Sequence, residues 1–142
     1  MKPYTILLVV IFLIISSSVS IFSQDSIKVL PRINNKSVDK NYLEGMKTDN
    51  EGLKISSAYY LGERQSSKAV IPLMKMLHMD KSPSARIMAA LSLFKIGDKR
   101  GIYALKEAIT DDKSEWVRSM CKVFYQMYLT NKETEKKNST AQ

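Results

Sequence analysis

Histidine and cysteine, the side chains most often used for zinc binding and nucleophilic catalysis, each occur once in this 142-residue sequence. His78 lies near the end of a predicted helix, where we expect an ordinary surface or helix-end histidine rather than a catalytic base. Zinc sites need clusters of such ligands, and the sequence also has no glycine-rich phosphate-binding loop. We therefore expect a protein that is not an enzyme and that uses no metal or cofactor.

Charged residues at regular positions offer a second kind of chemistry. Asp80 follows Lys54 and Asp112 follows Arg86 at the same distance, and Arg118 continues the basic series. The series could form a charged binding stripe. We favour a structural role, in which these residues bond across adjacent units and satisfy polar groups at helix ends.

The regular charges reflect a repeat of 32 residues. Arg118 follows Arg86 by 32 positions, and the same step relates Lys54 to Arg86. Apolar positions keep this period, so that Leu61 superposes on Leu93. A fixed period of this length is typical of a solenoid, whose units stack and share one continuous core.

Within one unit the apolar residues have helical spacing. Ala85, Ala89, Leu93 and Ile96 recur on one face of a first helix, and a second helix follows a turn at Gly97–Asp98. The pattern therefore predicts helix pairs rather than strands.

Capping residues mark the predicted helix ends. Ser82 and Pro83 suit the start of the first helix, and Asp98 suits the start of the second. Proline inside a helix is costly, so Pro72 predicts that its own helix begins close by, near Ala69.

The single cysteine falls on a predicted core position. Cys121 lies where Ala89 lies one unit earlier, and no second cysteine is available to pair with it in the chain. We favour a buried, inert thiol, and the alternative is a disulfide to another molecule in an oxidising compartment.

The run from Ala85 to Asp98, continued by Ile102, Leu105 and Asp111–Asp112, resembles the short HEAT-like repeat of the phycobilin-lyase type. Two complete units, Leu53–Ser84 and Ala85–Trp116, carry the resemblance within roughly residues 38–128. The first unit departs from it, because Arg64-Gln65 replaces the usual apolar residue and glycine. The resemblance implies an all-α fold, a short α-solenoid of about five helices, and a scaffold or binding surface rather than an enzyme.

The beginning of the chain has the pattern of an export signal. Residues 6–15 are all apolar, and a serine-rich stretch follows them. The apolar run is short for a membrane span and suits the core of a signal peptide. We expect residues 1–23 to be a signal peptide cleaved after Ser23 or Ser20, which predicts export to the periplasm or secretion. An uncleaved membrane anchor is the alternative.

The remaining chain divides into three predicted segments. Residues 24–36 have no clear period and indicate an extended linker. Residues 37–129 should form the repeat domain, with a half-unit at each end of the two complete units. Residues 130–142 are too polar to pack, and we expect them to be disordered.

The net charge of +8 favours anionic partners. The basic residues are spread along the chain, however, and no basic and aromatic platform for stacking bases is present. The sequence therefore argues against nucleic-acid binding and leaves another protein as the expected partner.

Two sets of residues are candidates for a partner-binding surface. The first lies on the predicted second helices: Met74, Lys75, His78, Tyr103 and Lys106. Flexible methionine side chains suit adaptable binding, although they could instead fill gaps in the core. The second set, Phe124 and Tyr128, lies on the trailing helix, where an open apolar surface would bind a partner or a second copy of the chain.

These observations predict a non-catalytic protein-interaction module or scaffold in the cell envelope or outside the cell. An accessory subunit or chaperone of an envelope enzyme is one alternative, and a basic module that binds an anionic polymer is another. Contact with a membrane is expected only if the N-terminal segment stays uncleaved.

Overall fold

A computed structural model describes residues 35–140 of the chain, which form six α-helices and no strand. The helices are α1 (Asn35–Gly45), α2 (Glu51–Glu63), α3 (Val70–Met79), α4 (Pro83–Ile96), α5 (Lys99–Asp111) and α6 (Glu115–Thr140), with a 3₁₀ turn at Ser67–Ala69.

The helices stack as two layers of a short solenoid. The first helices of successive repeats, α2, α4 and α6, pack against one another in chain order, and the second helices α3 and α5 pack side by side. α1 packs on α2. The predicted all-α solenoid is confirmed, with two helix pairs, α2–α3 and α4–α5, in its centre.

Side-chain caps start the helices where the sequence predicted them. The Ser82 hydroxyl accepts a hydrogen bond from the Ala85 amide at 3.3 Å, and Pro83 occupies the first turn of α4. The Asp98 carboxylate accepts from the Arg100 amide at 2.9 Å at the start of α5. These bonds satisfy amides that have no partner inside the helix, so each cap limits its helix to the predicted start.

The repeat positions form the core. Leu61 and Leu93 are fully buried at equivalent places in α2 and α4. Between these helices the Ser92 hydroxyl donates to the Ala58 carbonyl at 2.8 Å. The approach is close at Gly62, where a Cβ atom would lie 2.8 Å from the Ser92 Cα. A larger residue at this position would force α2 and α4 of the two successive repeats apart.

The turns inside the two repeats share an unusual backbone conformation. Gly97 ends α4 with φ +70°, and Gln65 has φ +49° at the equivalent place after α2. Glycine adopts this left-handed conformation readily, whereas glutamine does so at a cost. The first unit thus keeps the left-handed residue of the turn despite Arg64-Gln65, but its second helix begins after an added 3₁₀ turn at Ser67–Ala69.

The end of the described chain corrects one expectation. Residues 130–140, expected to be disordered, continue α6 as a solvent-exposed helix. Lys132 and Glu135 form an ion pair of 2.9 Å on its surface, and the Thr134 hydroxyl donates to the Thr130 carbonyl at 3.0 Å. A polar segment without a packed face can thus extend a helix that a buried segment has already started.

The predicted signal peptide, residues 1–23, lies outside the described residues, as does most of the predicted linker 24–36. Its last two residues, 35 and 36, belong to α1. Within residues 35–140, no helix is both long enough and apolar enough to span a membrane.

Candidate functional site

The recurring charged residues are the first candidate, and their bonds are internal to the fold. The Arg86 guanidinium holds the Asp112 carboxylate through two hydrogen bonds, Nε to Oδ2 at 2.7 Å and Nη2 to Oδ1 at 2.9 Å. Its third bond runs from Nη1 to the Asp80 carbonyl at the end of α3, at 2.9 Å. Arg86 is fully buried, so all of this bonding capacity is used inside the protein.

Lys54 and Arg118, the other basic residues of the series, each form part of the set of bonds that Arg86 makes. Lys54 donates to the Asp80 carboxylate at 2.8 Å, and Arg118 donates to the Asp112 carbonyl at 2.7 Å. The carboxylate pairs therefore join the two halves of a single repeat, and only the bonds to carbonyls cross from one repeat to the next. The expectation that all these bonds cross units is corrected, whereas the structural role stands.

The pKa values of the two carboxyl groups agree with this role. Burial by itself would raise the pKa of Asp112, but the hydrogen bonds from Arg86 and the Ser114 amide outweigh it and lower the pKa. In Asp80 burial is likewise outweighed by the bonds from Lys54 and the Ser82 amide. Both groups are ionised structural partners, which leaves no free stripe for a ligand.

A small cavity of about 200 Å³ lies where α3 and α5 end. His78 and Met79 line it beside the carboxylates that Lys54 and Arg86 already hold. Within the described part of the chain, no group of acidic, histidine and cysteine side chains could hold a metal ion. The cavity therefore offers no metal site, and two of its carboxylates, Asp80 and Asp112, are already held in ion pairs.

Cys121 is fully buried in α6. Burial, together with the nearby Asp112 charge, raises the pKa of its thiol to about 12. The predicted burial of this cysteine is confirmed, and a protonated, inaccessible thiol is expected to be a poor nucleophile.

A groove of about 780 Å³ lies between α1 and α3. It is open because α1 packs on α2 rather than on α3. Leu43, Met46 and Met76 are its more buried apolar members, while Ile71 and Met79 are 57% and 71% exposed. Apolar side chains with this degree of exposure indicate a binding surface.

Lysines surround the apolar part of the groove. Its lining includes Lys40, Lys47, Lys54, Lys68 and Lys75. Three carboxylates, from Glu44, Asp49 and Asp80, also line it, and two of them are held in ion pairs by Lys47 and Lys54. The groove lining therefore combines apolar side chains with a net positive charge, five lysines against three carboxylates.

The structure separates the predicted second-helix residues. Lys75 lines the groove, and His78 lies beyond it in the small cavity. Met74 is half-buried and packs on the core, as in the alternative in which methionines fill gaps. Tyr103, which is 61% exposed, and the exposed Lys106 lie on α5 outside the groove. Contact with Glu107 raises the pKa of the Tyr103 hydroxyl, so this tyrosine stays uncharged.

The expectation for Phe124 is wrong, and that for Tyr128 needs correction. Phe124 is buried, with its ring stacked on Phe94 at 6.0 Å between centroids. Tyr128 is half-buried against the core, with the Lys132 ammonium 5.9 Å from its ring centroid. The face of α6 that is open to solvent carries Val123 and Met127 instead. Phe124 is therefore not available to a partner in the folded protein.

Sequence reasoning missed Ile71 and the contribution of α1 to the groove. One signal was present, because Lys40 precedes Lys47 and Lys68 precedes Lys75 by seven residues, or two helical turns. Such spacing predicts two charges along one side of a helix, but the structure places Lys47 after the end of α1 and Lys68 in the 3₁₀ turn before α3. The spacing also does not reveal that both pairs line one groove.

A protein-family model described as HEAT repeats matches residues 24–122, about two thirds of the chain. A comparison with curated proteins finds no match.

Proposed function

This chain belongs to the HEAT repeat family, and we propose that it acts as an exported, non-catalytic protein-interaction module. Repeats of this family generally mediate protein binding or scaffolding. The proposal adds a location, the cell envelope or the outside of the cell, and a surface through which the partner is bound.

One observation carries the choice of surface: the exposed apolar side chains on the second helices. Ile71 and Met79 on α3 and Tyr103 on α5 are each more than half exposed, although the helices beneath them pack tightly. Together with Lys75 and Lys106 they define what we term the second-helix surface. Long, adaptable apolar groups beside lysines suit recognition of another protein.

Export is supported by the sequence at the start of the chain. The apolar run at residues 6–15 and the serines after it have the order of a signal peptide. N-terminal sequencing of the native protein should return Gln24 or Ile21 as the first residue. An intact Met1 in the membrane fraction would contradict export by cleavage and support an anchored form.

Two alternatives remain open for the partner. An accessory subunit or chaperone of an envelope enzyme would use the same second-helix surface and differ only in what it binds. A module for an anionic polymer is favoured by the net charge of +8 and would be retained on heparin in a strongly salt-dependent way.

Site-specific photo-crosslinking tests the proposal. A photoreactive residue placed at Tyr103 or Ile71 of the full chain should crosslink to one defined protein, which mass spectrometry identifies. The matched control is Val123, an apolar residue of α6 that is 48% exposed. Binding of the purified partner should then weaken about fivefold or more in Tyr103→Ser. Crosslinking from Val123 alone, or salt-sensitive heparin retention without a protein partner, would overturn the proposal.

A further inference from the structure

We propose that the groove between α1 and α3 binds an acidic amphipathic helix of a partner protein. The inference rests on the proposed function, because it assigns a ligand class to one part of the second-helix surface. Its basis is the combination of shape, apolar lining and charge at this one place.

The shape of the groove fits a short helix. Ile71 and Met79 lie eight residues apart on α3, which separates them by about 12 Å along the helix axis. Apolar anchors at positions i, i+4 and i+7 of a bound helix cover nearly the same distance. Leu43 on α1 and Met46 just after its end also line the groove. The volume of about 780 Å³ accommodates several such anchor side chains.

The charge of the groove selects an acidic ligand. Lys47 and Lys54 are held by Glu44 and Asp80, whereas Lys40, Lys68 and Lys75 form no ion pair with any residue between 37 and 139. These three exposed ammonium groups lie around the apolar lining and can approach carboxylates on the sides of a bound helix. A basic or neutral helix would gain the apolar contacts but not this attraction.

The charges of the chain itself argue against an internal occupant. Residues 24–36 and residues 130–142 both carry net positive charge, so neither segment complements the lysines. The exposed apolar face of α6 in a second copy carries Lys122 beside Val123, and it is equally unsuited. A different, acidic protein is therefore the favoured occupant.

The chemistry of the groove also favours protein over nucleic acid. Among the described residues that line it, none is an arginine and none is aromatic. Bidentate phosphate contacts and base stacking, on which nucleic-acid interfaces commonly depend, are thus unavailable in the groove. Methionine, leucine and isoleucine instead match the apolar face of a helix.

A designed peptide probe tests the inference. The probe is a fluorescent helix of about 18 residues with leucines at i, i+4, i+7 and i+11 and glutamates on its flanks. Two control peptides accompany it, one with the same residues in scrambled order and one with lysine in place of glutamate. Fluorescence anisotropy with the full chain should show saturable binding of the acidic amphipathic peptide and about tenfold weaker binding of both controls.

Variants then locate the site. The pair Ile71→Ser/Met79→Ser and the pair Lys68→Glu/Lys75→Glu should each weaken binding about tenfold or more. The matched control, Val123→Ser/Lys122→Glu, changes an exposed apolar residue and an exposed basic residue of α6, outside the second-helix surface, and should stay within about twofold. All these positions are solvent-exposed, and circular dichroism with thermal melting verifies that each variant is folded.

Several results would overturn the groove proposal. One is equal binding of the scrambled peptide, which indicates unspecific attraction. Another is equal loss of binding in the α6 control. If the peptide does not bind, and heparin binds the wild type and all groove variants equally, the ligand is an anionic polymer and not a helix. If the partner crosslinks to Tyr103 while the peptide fails to bind, only the groove proposal fails. Without any protein partner, the proposed function fails too.

Discussion

The α4–α5 repeat holds Asp112 with Arg86, whereas the α2–α3 repeat holds Asp80 with Lys54 at the equivalent position. The side chain of Arg86 is 2% exposed and that of Lys54 is 21% exposed. The difference follows from position, because α4 has a first helix packed on each side of it, whereas Lys54 and Asp80 line the open groove. A planar guanidinium suits the enclosed site, since it bonds both carboxylate oxygens and a carbonyl together.

The comparison suggests how stability and binding are divided between the repeats. The enclosed α4–α5 repeat uses its charged pair to fasten the centre of the stack. The α2–α3 repeat keeps the same architecture but leaves Ile71 and Met79 to solvent. Substitutions at equivalent positions of the two repeats should therefore change the free energy of unfolding unequally for the charged residues and similarly for the core residues.

The largest difference is expected for the charged pairs. Arg86→Met should lower the free energy of unfolding by about 3–5 kcal/mol, because it leaves the Asp112 carboxylate buried without its partner. Lys54→Met should lower it by about 1 kcal/mol or less, because water reaches Asp80 more easily. Urea denaturation of the full chain measures both. Equal losses would contradict the assignment of a more enclosed second repeat.

The pH dependence of stability sharpens this comparison. The pKa of Asp112 in the folded protein is lower than its ordinary value of 3.8, so its stabilising effect is complete above that value. The effect is lost as the pH falls through the lowered folded pKa. In Arg86→Met the Asp112 carboxylate stays buried without its main partner, so its folded pKa should rise above 3.8. The folded variant then binds this proton more tightly than the unfolded chain does, and its loss of stability relative to the wild type should shrink as the pH falls. Urea melts between pH 7 and pH 3 measure this, and a stability difference between wild type and variant that stays constant over this range would contradict it.

Core leucines should respond alike in the two repeats. Leu61→Ala and Leu93→Ala each remove a fully buried side chain and should each cost about 2–5 kcal/mol. The control Lys99→Ala, at an exposed position of α5, should stay within about 0.5 kcal/mol. Denaturant melts measure these losses. Equal losses of stability in Lys99→Ala and Leu93→Ala would mean that the repeat register is wrong.

The smallest effects are expected at the two left-handed turns, with opposite signs. Gln65→Gly should stabilise the protein by about 1 kcal/mol, because glycine adopts φ +49° without the cost that glutamine incurs. Gly97→Ala should destabilise it by a similar amount, about 1 kcal/mol, at φ +70°. Thermal melts of both variants measure the difference. A loss of stability in Gln65→Gly would indicate that the Gln65 side chain contributes more than its backbone costs.

Part of the candidate site could be recognised in the sequence. Lys75 was identified as a surface residue of a second helix, and it does line the groove. The sequence does not indicate that Ile71, Leu43 and Met46 line a groove, because a groove depends on how far apart α1 and α3 lie. Phe124 was misassigned because the sequence does not reveal its ring partner, Phe94, in the neighbouring helix.

The sequence by itself determined the period, the helix pairs, the caps at Ser82 and Asp98 and the buried leucines. These features depend on local propensity and on the 3.6-residue turn of a helix, which act over a few neighbouring residues. Only the tertiary structure decided that Arg86 pairs with the carboxylate of its own repeat, that Phe124 is core, and that α1 leaves a lysine-lined groove beside α3. Those outcomes depend on the distances between helices that are remote in sequence, and packing of the whole stack sets such distances.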